Sequence, residues 1–157
     1  MTSRTELENA VLTENLGPLE LFLQTSDQLE AKDKFGRTII FDAIVKGFVD
    51  VIKLLIRYNA SINIHDKNGK TPLHFAAIHG RLEIAQILIN EGATIDAIDS
   101  DGNTPLSDAI FYSNGFPDLI LLLKNSGANP NFPNKYGVSP KKLADTISNF
   151  KVSHLLD

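Results

Sequence analysis

Along residues 67–99, polar and apolar positions alternate in two short blocks that glycines separate and close. Leu73, Ala76 and Ala77 recur at helical spacing and form a narrow apolar face, which Gly80 ends by taking a left-handed conformation. Leu82, Ile84, Ala85, Ile87, Leu88 and Ile89 come next as a second helix, apolar on nearly all sides, and Gly92 stops it. Thr71 offers a capping hydroxyl, and Pro72 falls at the first helical position, where its missing N–H costs nothing. The segment after Gly92 is short, polar and turn-like. A helix pair this small cannot bury its own apolar surface and needs similar neighbours on both sides.

The neighbours are present. Gly36, Gly69 and Gly102 are spaced by 33 residues, and Gly137 comes 35 residues later. The blocks T-I-I-F-D-A (38–43), T-P-L-H-F-A (71–76), T-P-L-S-D-A (104–109) and S-P-K-K-L-A (139–144) stand just after them. Second helices are predicted over 49–56, 82–89 and 117–124. Segments beginning Asn59-Ala60, Gly92-Ala93 and Gly127-Ala128 close the full units.

This four-fold register resembles the ankyrin repeat. The resemblance implies an all-α solenoid of stacked helix–turn–helix units with short hairpin tips. One domain over 1–157 divides into repeats at about 1–33, 34–66, 67–99, 100–134 and 135–157. The first repeat lacks T-P-L-H, but a shift of 33 lays Ala10 on Ala43, Leu16 on Val49 and Leu21-Phe22 on Leu54-Leu55. Its helices are predicted over 5–13 and 18–25, with Ser3 or Thr5 capping and Glu6, Glu8, Glu14 and Glu20 facing water. The fifth repeat is predicted to hold helices over 140–146 and 150–156. Its Lys141, Lys142, Asp145, Lys151 and Asp157 suit a terminal unit, so the array reads as complete at both ends.

Repeat two carries Ile39 and Phe41 where repeat three has Pro and His, and Asp42 where it has Phe75; Asp108 holds that place in repeat four. Both aspartates are expected as exposed or capping carboxylates. Repeat four has two extra residues in F-Y-S-N, between Ile110 and Gly115, in the turn between helices where insertion is cheap. Phe111 is expected in the core and Tyr112 in solvent. Gly80 or Gly115 is expected in a helix-ending conformation.

Composition narrows the chemistry. The 157 residues are 43% apolar with a formal net charge of −4 and no cysteine, which removes disulfides, thiolate metal sites and Cys nucleophiles. No basic segment leading into an apolar stretch opens the chain, and the longest purely apolar run is 119–123, so a cytoplasmic protein is expected. The acidic balance without a basic stripe opposes nucleic-acid binding. His74 and His79 are five apart, not the four that places two ligands on one helical face, and no zinc site is expected. The resemblance gives His74 a structural role, tying adjacent turns through backbone. D-S-D-G-N (99–103) is similar to the start of a calcium loop, but Ala97 and Asp108 fall where it needs Asp and Glu. No cofactor is implied.

Recognition of another protein remains. In the proteins this chain resembles, partners contact the hairpin tips and the concave surface of the first helices. The positions so implied are Lys34, Phe35 and Arg37; Lys67, Asn68 and Lys70; Asp101 and Asn103; and Lys135 and Tyr136. Phe111 and Tyr112 at the insertion join them. Phe35 and Tyr136 either fold back on neighbouring hairpins or stand free as interface anchors. Lys34, Arg37, Lys67 and Lys70 make two consecutive tips basic. Three functions stay open: an inhibitor such as a bacterial immunity protein neutralising a toxin, monomeric when free; an adaptor or regulatory subunit in a signalling complex; and an enzyme with an unrecognised site.

Overall fold

The computed structural model describes residues 4–25, 27–112, 117–147 and 152–156. Among these, nine α-helices and two 3₁₀ turns account for all regular structure, with no strand. The helices are α1 (Arg4–Leu12), α2 (Leu16–Thr25), α3 (Ile39–Lys46), α4 (Val49–Arg57), α5 (Pro72–Ile78), α6 (Leu82–Asn90), α7 (Pro105–Tyr112), α8 (Asp118–Asn125) and α9 (Pro140–Thr146). The 3₁₀ turns are Gln28–Glu30 and Ser153–Leu156. For the α-helices whose bounds were expected, observed boundaries lie within two residues, the largest difference being α2, which starts at Leu16 rather than Pro18.

Two layers result. The first helices α1, α3, α5, α7 and α9 pack each on the next, and so do the second helices α2, α4, α6 and α8. The period places equivalent residues in columns. Leu7, Ile40, Leu73 and Leu106 are all at most 1% exposed. Ala43, Ala76, Ala109 and Ala144 form a buried column of small side chains, and Leu55, Leu88 and Leu123 a buried aliphatic one. Burial of an aliphatic side chain contributes about 1.5–3 kcal/mol, so these columns, not any single helix, hold the array.

The first repeat adopts the same plan: Leu7, Val11, Leu19 and Leu23 are buried. Leu21, however, is 64% exposed where its counterpart Leu54 is 4%. The cause is positional, since α4 has a second helix on each side and α2 has one only. In the fifth repeat α9 lies as expected, with the Ser139 hydroxyl accepting from the Lys142 N–H at 3.3 Å. Its partner was expected as a helix over 150–156; residues 148–151 lie outside the described set, and 153–156 form a 3₁₀ turn that buries Leu156.

Gly80 has φ +62, as its helix-ending role requires, whereas Gly115 lies outside the described residues. Asn59, at φ +63, stands where Gly92 and Gly127 stand in later repeats; asparagine tolerates that conformation better than other side chains. Phe111 overturns its core assignment. It is 62% exposed, because its place at the last turn of α7 carries the ring past the packed face. Its ring instead meets Tyr112 edge-to-face, with centroids 4.9 Å apart.

Candidate functional site

Each hairpin tip is built around one Asx side chain. Asp33 accepts from the N–H groups of Phe35 and Arg37 at 2.7 and 2.9 Å. Asp66 does so from Asn68 and Lys70, and Asp99 from Asp101 and Asn103. Asn134 repeats the pattern with Tyr136 and Val138 at 3.0 Å. These local bonds fold the tip without any partner strand. Adjacent tips are then joined by backbone: the Lys67 N–H donates to the Phe35 carbonyl, Ser100 to Asn68, and Lys135 to Asp101, at 2.8–2.9 Å. Gly69 sits at φ +77 in this row, and a Cβ there would lie 2.9 Å from the Ser100 nitrogen. The tips of repeats two to five are therefore one continuous row.

That row carries Lys34, Phe35, Arg37, Lys67, Asn68, Lys70, Asp101, Asn103, Lys135 and Tyr136. Its cations are less free than the sequence implies. Arg37 turns back on Asp33, with Nη2 and Nε at 2.9 and 3.0 Å from one carboxylate oxygen. Lys135 donates to the Ser100 carbonyl. Lys70 points inward, its ammonium 2.8 Å from both Asp99 and Asp108. The two basic tips thus present Lys34 and Lys67 as their outer charges.

Asp108 also departs from expectation. It is 7% exposed, not an open or capping carboxylate, because Lys70 of the preceding repeat reaches it. Burial raises its pKa to about 6, with Lys70 offsetting only part of that cost. Burial also acts on Asp99, but hydrogen bonds from Lys70 and two backbone N–H groups outweigh it and hold that carboxyl low. Asp42 pairs likewise with Arg4, at 3.3 Å, yet stays a third exposed.

His74 locks the same joint. Its Nδ1 accepts from the Thr71 N–H at 3.1 Å, and Nε2 lies 3.1 Å from the Asn103 carbonyl in the next repeat. With Nδ1 accepting, Nε2–H donates, so the buried ring is satisfied as neutral imidazole. Burial lowers its pKa to about 4, against the opposing backbone bond to Asn103. A base with both nitrogens committed is a structural link.

Above the Lys70–Asp99–Asp108 cluster a groove of about 450 Å³ runs along α7. Asp101, Asn103, Asn134, Tyr136 and Val138 from the tips line it, with Ser107, Phe111 and Tyr112 from α7 and Leu143 from α9. It gathers six of the residues singled out in the sequence: Lys70, Asp101, Asn103, Phe111, Tyr112 and Tyr136. A shallower depression of about 610 Å³ beside residues 59–64 is lined by aliphatic side chains and by Asn59, Ser61 and Asn63, with Glu91 as the one charge and no aromatic ring among the described residues. Among the described residues no cluster of His, Cys, Asp or Glu could hold a metal ion. No helix there is long and apolar enough to cross a membrane.

Sequence reasoning missed Asp99, Asp108 and Asn134 as members of this site. Two signals were present: the recurrence of Asx at 33, 66, 99 and 134, and the separation of 38 that Arg4–Asp42 and Lys70–Asp108 share.

The family described as "Ankyrin repeats (3 copies)" matches residues 7–99 and, in an overlapping match, 59–134. No curated protein matches the chain.

Proposed function

Because the chain belongs to the ankyrin-repeat family, whose members are protein–protein interaction modules, we propose that it is a non-catalytic inhibitor that covers the working surface of a cognate protein, as an immunity protein covers a toxin. The carrying observation is the continuous row of tips with its groove, which exposes Phe35, Phe111, Tyr112 and Tyr136 at 48%, 62%, 46% and 73%. None of these rings is spent on the core, and large rigid rings exposed among polar groups are the usual anchors of an interface. The titratable groups beneath them satisfy one another, which favours a surface that covers over one that reacts. A stable interface needs about 800 Å² from each partner, more than one repeat offers and within the span of several. The protein works in the cytoplasm, where disulfides are rare and a cysteine-free chain fits, and it is a monomer until it meets its partner.

The test is co-purification of the tagged chain with its partner from the source cells, and then assay of that partner's own activity. Activity should fall in proportion to the chain added and vanish at equimolar ratio. Retained activity in a stable complex favours the adaptor reading instead. Tyr136→Ala or Tyr112→Ala should weaken binding about 30-fold, the equivalent of about 2 kcal/mol. Undiminished binding in both, with loss on replacing Glu83, Gln86 or Asn90 of α6, would move the interface to the second-helix face.

A further inference from the structure

Tips two and five carry aromatic rings at equivalent positions, of which Phe35, 48% exposed, is partly covered and Tyr136 is not. The Phe35 ring is covered by the protein's own cations: the Arg37 guanidinium lies 4.6 Å and the Lys34 ammonium 5.0 Å from its centroid. In tip five Arg37 is replaced by Val138, and Lys135, the counterpart of Lys34, is turned onto the Ser100 carbonyl. Tyr136 is left 73% exposed. Its hydroxyl donates to Asp101 at 3.3 Å, which sets an exposed carboxylate beside the ring. The paired rings of Phe111 and Tyr112 line the same groove.

Charge points the same way. Among the described residues three aspartates line the groove (Asp99, Asp101 and Asp108) against one lysine, Lys70. Lys70 is already held by two of them, so Asp101 is the carboxylate left to a visitor. Resting on the protein-binding reading above, we propose that this groove receives one basic side chain, arginine or lysine, projected by the partner. Aromatic faces attract a cation through their quadrupole, and Asp101 adds a charge-assisted hydrogen bond. The partner's cation then does in tip five what Arg37 does in tip two.

The test is a ¹⁵N-resolved NMR titration of the whole chain with N-acetyl-arginine amide, and with the uncharged, near-isosteric N-acetyl-citrulline amide as control. The arginine derivative should shift the amides of Asp101, Asn103, Phe111 and Tyr136 along one saturable curve, and the citrulline derivative should leave them in place. Asp101→Asn and Tyr136→Ala should each weaken that response about five-fold, while Tyr136→Phe, which keeps the ring, retains most of it. Unchanged melting of the three variants shows that the fold is intact. Equal response to citrulline, or arginine affinity unaltered in both weakening variants, overturns the proposal. So do shifts that track protein concentration without any probe, since a second copy then fills the groove. A captured partner that binds Asp101→Asn and Tyr136→Ala normally also overturns it while leaving the protein-binding reading intact. An arginine response with no protein partner found does the reverse.

Discussion

Asp42 and Asp108 hold the same place in their repeats, and each is paired with a basic residue 38 positions earlier, Arg4 or Lys70. The first pair joins α1 to α3, between repeats one and two. Asp42 keeps 34% of its side chain in water, and burial raises its pKa against the opposing charges of Arg4, which touches it, and Arg37. The second lies between repeats three and four, where Asp108 is 9% exposed by side chain and Lys70 must also serve Asp99 at 4%. In both joints one cation holds two carboxylates, Arg4 those of Asp42 and Glu8, but the first joint leaves them a third in water and the second closes over them. The difference comes from what covers the pair, since Asp108 lies under the groove that the fourth and fifth repeats build.

The comparison breaks most sharply when the cation is removed. Lys70→Met leaves two buried carboxylates facing each other and should cost about 3–5 kcal/mol in urea unfolding at neutral pH. Arg4→Met should cost about 1 kcal/mol or less, because water screens what remains. The Lys70→Met loss should shrink toward pH 5, where Asp108 can take up a proton. Equal losses in the two variants would mean that the joints are alike.

Acid sharpens the same contrast. His74 binds its proton less readily in the fold than in the unfolded chain. Its contribution is therefore whole above pH 6.5 and drains away toward pH 4, about 3 kcal/mol in all. Asp108 has the opposite sign: raised from 3.8 to about 6, it adds stability as pH falls through that window. The two largely cancel between pH 4 and 6. Asp108→Asn should uncover the His74 loss, giving a stability that falls by about 3 kcal/mol between pH 6.5 and 4, while the parent stays nearly level. A parent and variant with parallel pH profiles would contradict this. The smallest effect belongs to the open joint, where Asp42→Asn should change stability by about 1 kcal/mol or less and leave the melting temperature within a few degrees.

Legibility in the sequence divides along the same line. The 33-residue period, Thr71-Pro72 and the glycines locate the α-helices through α9 to within two residues, because caps and apolar spacing act locally. His74 was legible through its motif. Asp108 was not, since its environment is set by Lys70, a residue in another repeat, and by burial that no local pattern reports. Phe111 failed for a related reason: an apolar ring at a helix end faces the core or solvent according to where the helix stops. Asp33, Asp66, Asp99 and Asn134 were readable in principle, as their spacing matches the glycines three residues later.

The bonds that join adjacent tips also make the array self-reporting. The amide hydrogens of Lys67, Ser100 and Lys135 are each held by a carbonyl of the repeat before, at 2.8–2.9 Å. Each can trade its proton for solvent deuterium only when that one joint parts. Three exchange rates then time three separate openings within one folded molecule. Binding that spans tips two to five should slow all three together, whereas a ligand confined to the last groove should slow Lys135 alone.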